Sequence, residues 1–236
     1  MLAAKDAIGG ALAIDEAAVE RLDASARTRG IDEALLGMTP VRDLRSRIEA
    51  VVSLLERMDP ARLLRKQGPI ARLVGADIEA RLQFELSSEQ VLAATGQLKT
   101  ATQNGRHLRT LLDAAGREIA ADQIRFEAAI TEGKERLAHA TGTDPFILSR
   151  FERRLANIMA MHAANLLTIG QLAITREVLT ALLDRCTDVE TMLLPVWHRY
   201  VLALASSSGS GLKRAGKDFT EVHTNLIEFL KEGLQQ

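Results

Sequence analysis

The sequence predicts an all-α protein, an elongated bundle of long antiparallel amphipathic helices that pair in coiled-coil fashion. Three observations carry that prediction. Apolar residues recur at steps of three and four over stretches far longer than a strand. The apolar share, 47%, comes mainly from Leu, Ala, Ile and Val, with aromatics at only 3%; this composition, with its Arg and Glu, favours helix over sheet. The five prolines mostly stand where the periodic stretches stop and start.

Taken in order, residues 1–38 are rich in Ala and Gly and weakly periodic, and a short helix is expected around Ile14–Arg27. Thr39-Pro40 is the first strong start signal. A threonine can cap free backbone N–H groups, and proline suits a first turn that needs no N–H from it. Leu44, Ile48, Val51, Val52, Leu55 and Met58 then mark one face of a helix that ends at Asp59-Pro60, because a residue before proline is pushed out of helical angles.

Residues 60–75, PARLLRKQGPIARLVG, read as two short helical turns broken at Gly68-Pro69, with Arg62, Arg65, Lys66 and Arg72 and no acid. From Asp77 to about Thr141 there is no proline, and Leu92, Leu98, Leu108, Leu112, Ala115, Ile119, Phe126, Ala129 and Leu137 keep a roughly heptad stripe. Such a helix would be about 100 Å long. Gly96, Gly105, Gly116 and Gly133 interrupt it, each at a cost of ~1 kcal/mol relative to Ala, so bending or local fraying is expected.

Asp144-Pro145 restarts the chain as cap and first turn. Phe151, Leu155, Ile158, Ile169, Leu172, Leu179, Leu183, Cys186 and Leu193 form the cleanest seam, with His162, Asn165 and Arg176 on the same stripe. Its natural partner is the preceding long helix folded back antiparallel. Pro195 lies inside the continuing pattern and should kink or end the helix. The organisation expected is a 1–38 segment, a long-helix domain over 39–204, a flexible linker at 205–216 and an amphipathic helix over 217–236 built on Phe219, Val222, Leu226, Ile227, Phe229 and Leu230.

Two segments also carry a family likeness. Residues 59–90, DPARLLRKQGPIARLVGADIEARLQFELSSEQ, and residues 171–197, QLAITREVLTALLDRCTDVETMLLPVW, resemble the TelA-like toxic-anion (tellurite) resistance family. The shared features are an Asp-Pro-plus-basic segment after the first helix and a glutamine-bearing long helix ending in an apolar-Pro-apolar-Trp signature, here Leu194, Pro195, Val196 and Trp197. The likeness runs from about Thr39 to Leu204, and departs from the family in a short N-terminal region and a break at Ser206–Gly211. It implies a bacterial, cytoplasmic helical protein linked to resistance to tellurite and related stresses, and transfers no catalytic residue.

The residues themselves narrow the function classes. Thirty basic against 31 acidic residues leave a charge of −1, which argues against nucleic acid as a partner. Cys186 stands alone, so no internal disulfide forms and a reducing compartment fits. No signal peptide is recognisable, and no run of apolar residues is read as reaching the ~20 needed to cross a bilayer. Gly211-Leu-Lys-Arg-Ala-Gly216-Lys217-Asp218 imitates a phosphate-binding loop, but Asp218 stands where the magnesium hydroxyl belongs and no strand precedes it; a flexible loop is the better reading.

Histidines 107, 139, 162, 198 and 223 are scattered without metal-site spacing, so no metal and no cofactor is expected. His162, on the seam, reads as a register element before it reads as a ligand. Cys186, between seam leucines, reads as buried and inert.

The interaction surface expected is the basic corner of Arg62, Arg65, Lys66 and Arg72, together with the aromatic spot of Trp197 and Tyr200. The bland alternatives are a solvated helical corner and simple space filling around the proline. The resulting expectation is a non-enzymatic structural or adaptor protein that binds protein partners through its helices, cytoplasmic, with peripheral contact at the inner membrane face open to it. The runner-up is a small-molecule or anion-binding protein using the basic corner at 60–75.

Overall fold

A computed structural model describes residues 13–28, 39–58, 76–207 and 210–235, and all its regular elements are helical. They are α1 (Glu16–Ser25), α2 (Thr39–Arg57), α3 (Ala76–His139), α4 (Pro145–Asp188), a π-helical turn (Val189–Leu193), α5 (Leu194–Ser206) and α6 (Ser210–Gln235). The described residues fall into two compact units. The first joins 13–28 to 111–175; the second joins 39–58 to 76–110, 176–207 and 210–235. The all-α reading holds.

In the first unit α3 and α4 run antiparallel, since Gly133 lies against Leu155 while Glu127 reaches His162. α1 covers one end of the pair. Asp15 in extended conformation caps it, its Oδ1 accepting from the Ala18 N–H at 2.8 Å. Ile14, Ala18, Val19 and Leu22 then pack on Phe126, Ala129, Phe151, Leu155 and Ile158. Polar contacts ring this core: Arg150–Glu16 at 2.6 Å, Arg154–Asp23 at 3.0 Å, and Arg136 donating to the Ala13 carbonyl at 2.9 Å. The turn between α3 and α4 uses Gly142 at φ 71, where glycine bears no Cβ penalty, and Asp144 then caps α4 through the Phe146 N–H.

The long helix differs from its expectation in an informative way. It is unbroken from Ala76 to His139, glycines included. Its buried row is Phe84, Ser88, Val91, Thr95, Leu98, Thr102, Gly105 and Leu108 in the second unit, and Leu112, Ala115, Ile119, Gln123, Phe126, Ala129, Gly133 and Arg136 in the first. Val91, not Leu92, is the seam residue there. Two of the glycines are therefore holes that receive knobs. A Cβ on Gly105 would stand 3.0 Å from a Leu183 methyl, and one on Gly133 2.7 Å from a Leu155 methyl. The seam hydroxyls are satisfied by their own helix, Thr95 donating to the Leu92 carbonyl and Thr102 to that of Leu98.

The helical run continues through Pro195. The preceding residues form the π-helical turn, in which the Leu194 N–H reaches the Val189 carbonyl, and Pro195 enters the first turn of α5. The wider turn absorbs the proline without requiring its missing N–H. Downstream, the expected linker at 205–216 is corrected: α5 runs to Ser206 and α6 begins at Ser210. The buried row of α6 starts at Leu212 and continues through Gly216, Phe219, His223, Leu226 and Leu230, so packing against the second unit makes these residues helix. The phosphate-loop look-alike at Gly211–Lys217 is thus part of a helix and not a loop.

The expectation about bilayer-length runs is corrected as well. Leu155–Thr175 contains no Asp, Glu, Lys or Arg. The helical run Pro145–Ser206 is, by length and composition, long and apolar enough to cross a membrane. Asn165, Thr168 and Gln171 break the apolar sequence without adding charge, which hides the stretch from a reading of consecutive apolar residues.

Candidate functional site

The most elaborated side-chain cluster lies in the second unit, where α2, α5 and α6 meet. Trp197 and Phe219 are fully buried, and Phe84 meets Phe219 edge-on at 5.5 Å between ring centres. His223 stacks on both Phe219, at 5.2 Å, and Trp197, at 6.5 Å. The Trp197 Nε1–H donates to His223 Nδ1 at 3.1 Å, and His223 Nε2 lies 3.0 Å from the Leu55 carbonyl.

An indole can only donate and a carbonyl can only accept. The imidazole is therefore neutral, protonated on Nε2 and accepting on Nδ1. Burial lowers its pKa below the ordinary 6.5, against a smaller upward pull from the Leu55 carbonyl. One side chain thus ties three helices together. Around this hub Arg185 donates to the Phe229 carbonyl at 2.7 Å and lies 5.1 Å from that ring's centre, while Lys231 pairs with Glu56 at 2.5 Å.

This arrangement settles the place of several sequence-derived candidates. Trp197 is not part of an exposed aromatic spot; it is the buried donor of the hub, and Tyr200 is half-buried beside it in sequence. Cys186 is buried, and desolvation pushes its thiol up to about 11 despite the hydrogen bond with Thr102, which leaves little thiolate at neutral pH. His162 is half-buried with Nε2 3.4 Å from a Glu127 carboxylate oxygen, a link across the α3–α4 seam. By the antiparallel register Gln123 falls across from Asn165 nearby; both Gln123 amide atoms and the Asn165 Nδ2 are buried without a hydrogen-bond partner. Arg62, Arg65, Lys66 and Arg72 lie outside the described residues.

His223 is the residue sequence reasoning missed. It was grouped with the scattered histidines, yet it stands four after Phe219 and three before Leu226, on the apolar row of its helix. That spacing was the available signal. Among the described residues no group of three His, Cys, Asp or Glu side chains is placed to hold a metal ion. A shallow recess beside α1, lined by Arg21, Ser25, Glu132 and Arg136 among others, is open to solvent, and its Arg136 is already engaged by Glu132 and the Ala13 carbonyl.

What the surface offers beyond this is apolar. Ile78, Leu82 and Leu86, at steps of four on the first turns of α3, are 69%, 56% and 51% exposed. Ala80, Phe84 and Ser88, interleaved with them, are buried. This end of α3 therefore has an apolar row on its outer side as well as its inner one, more than its packing inside the unit requires.

Comparison with known proteins gives a distant relative. Over 204 residues, 83% of this chain and 79% of the relative, the sequence is 24% identical to Protein KlaA of Escherichia coli. No protein-family profile and no solved structure matches the chain.

Proposed function

We propose that this protein is a non-enzymatic helical adaptor of the toxic-anion, tellurite-linked resistance type, acting by holding a protein partner on its helices. The observation that carries the reading is the outward ridge Ile78–Leu82–Leu86. It lies inside the 59–90 segment that resembles the TelA-like family, shortly after the basic segment 60–75 in the chain. An apolar ridge with the exposed acids Glu79, Glu85 and Glu89 beside it on the helix suits a partner helix with an apolar face and basic margins. The distant likeness to KlaA, over 83% of this chain, supports common descent. A position at the inner face of the membrane in the cytoplasm belongs to the same proposal.

The test pairs growth under tellurite with recovery of bound partner in a host lacking its own copy of the gene. Leu82→Glu with Leu86→Glu should leave helicity intact, abolish co-purification of the partner and remove resistance together. Resistance that survives loss of the ridge, or reproducible turnover of tellurite by the purified protein, contradicts the proposal. Oxyanion binding that disappears in Arg65→Ala or Lys66→Ala would favour the anion-binding alternative.

A further inference from the structure

A different helix carries a second unpartnered row, and its pattern identifies what covers it. In the first unit, α1 closes one end of the α3–α4 pair through Phe126, Ala129, Phe151, Leu155 and Ile158. Beyond that end, the face of α4 turned away from α3 is open from Met159 to Ile174. Met159, Leu166, Leu167 and Ile174 are 42%, 53%, 74% and 66% exposed there. On a 3.6-residue wheel they share one face with Ala163 and Gly170, turned away from the seam that Leu155, Ile158 and Leu172 make with α3.

We infer that this face is the interface of a homodimer in which α4 packs antiparallel on α4 of a second copy, about a two-fold axis between Leu166 and Leu167. The row reads large, small, large, large, small, large in both directions: Met159, Ala163, Leu166, Leu167, Gly170, Ile174. An isologous contact demands a surface complementary to itself under rotation. In this register Met159 meets Ile174 of the other copy, Ala163 meets Gly170, and Leu166 meets Leu167. No charge obstructs the contact, because Leu155–Thr175 contains no acid and no Lys or Arg.

A bilayer fits the same apolar stretch less well. The inner side of this helix faces α3, where Gln123, Asn165, Glu127 and His162 bring polar atoms that lipid could not satisfy. One helix face per copy gives an interface near the lower end of specific contacts, roughly 1,200 Å² in total, the size class of reversible association.

The test is sedimentation equilibrium of the full chain across the micromolar range, combined with cysteine cross-linking on the exposed row. Wild type should pass from monomer to dimer, and Leu166→Glu with Leu167→Glu should weaken association at least tenfold with unchanged circular dichroism. Leu166→Cys and Leu167→Cys should cross-link to each other when mixed under mild oxidation. Met159→Cys and Ile174→Cys should each fail alone and cross-link when mixed. A monomer at every concentration, a dimer indifferent to the glutamates, or Met159→Cys cross-linking to itself would overturn the inference. Co-flotation with neutral phosphatidylcholine vesicles that is lost in the glutamate variant would also overturn it, in favour of lipid.

Discussion

The two units solve one problem in two ways. Each contains part of the α3–α4 pair, and a pair of amphipathic helices needs a third layer to close its core. In the second unit that layer is α2, α5 and α6, locked by a buried polar relay from Trp197 through His223 to the Leu55 carbonyl. In the first it is α1, ten residues long, held by apolar packing, one Asp15 cap and ion pairs at its rim. The relay gives direction and register at the risk of leaving buried donors unmatched; the apolar staple is tolerant and leaves much of α4 bare. The buried relay belongs to the second unit, and the bare face of α4 from Met159 to Ile174 to the first.

The contrast can be broken most forcefully at Trp197. Trp197→Ala removes a fully buried side chain, so unfolding of the second unit should become easier by about 3–5 kcal/mol. Hydrogen exchange should show protection falling in α2, α5 and α6 while α1 and its contacts keep theirs. Uniform loss across both units would mean that they do not respond as separate cores.

His223 gives the next effect. His223→Leu leaves the Trp197 N–H and the Leu55 carbonyl unmatched, at about 1–3 kcal/mol in denaturant titration at neutral pH. The wild type carries a pH signature as well. The folded-state pKa lies below the ordinary 6.5, so the unfolded chain takes up the proton first as pH falls. The stability tied to neutral His223 is thus complete above about 6.5 and declines as pH drops through that value toward the lower folded one. His223→Gln, neutral at all these pH values, should flatten that part of the profile.

On the other side of the comparison, Asp15→Ala should cost about 1 kcal/mol, the worth of a helix N-cap, and loosen α1 without touching the second unit. Proteolysis in the first turn of α1 should accelerate accordingly.

The smallest effect distinguishes two glycines of one helix within one unit. Gly116→Ala meets nothing within 4 Å and should stabilise by up to ~1 kcal/mol in thermal melts. Gly133→Ala puts a Cβ 2.7 Å from a Leu155 methyl, so the displaced leucine should offset that gain. Equal stabilisation by the two would show that Leu155 does not occupy a hole at Gly133.

Much of this architecture was legible in the chain because helix periodicity is a local property. The buried row from Leu44 to Met58, the restart at Asp144-Pro145 and the seam from Phe151 to Leu183 depend on spacing alone. Burial of Cys186 followed from its neighbours in the same way. The candidate site was far less legible. A wheel shows that Trp197 and His223 each lie on an inward row, but the bond between them depends on how α5 and α6 pack.

The sequence by itself determined most of the helices, most of their inward faces and the antiparallel return across 141–145, since these follow from side-chain spacing and turn chemistry. Only the tertiary structure decided what each inward position receives. It made Gly105 and Gly133 sockets for leucines and Trp197 a buried donor, turned a presumed linker into the first turns of α6, and left Met159–Ile174 uncovered. The physical reason is that a knob, a hydrogen bond or a bare face is defined by the atoms opposite, and those come from residues distant in the chain.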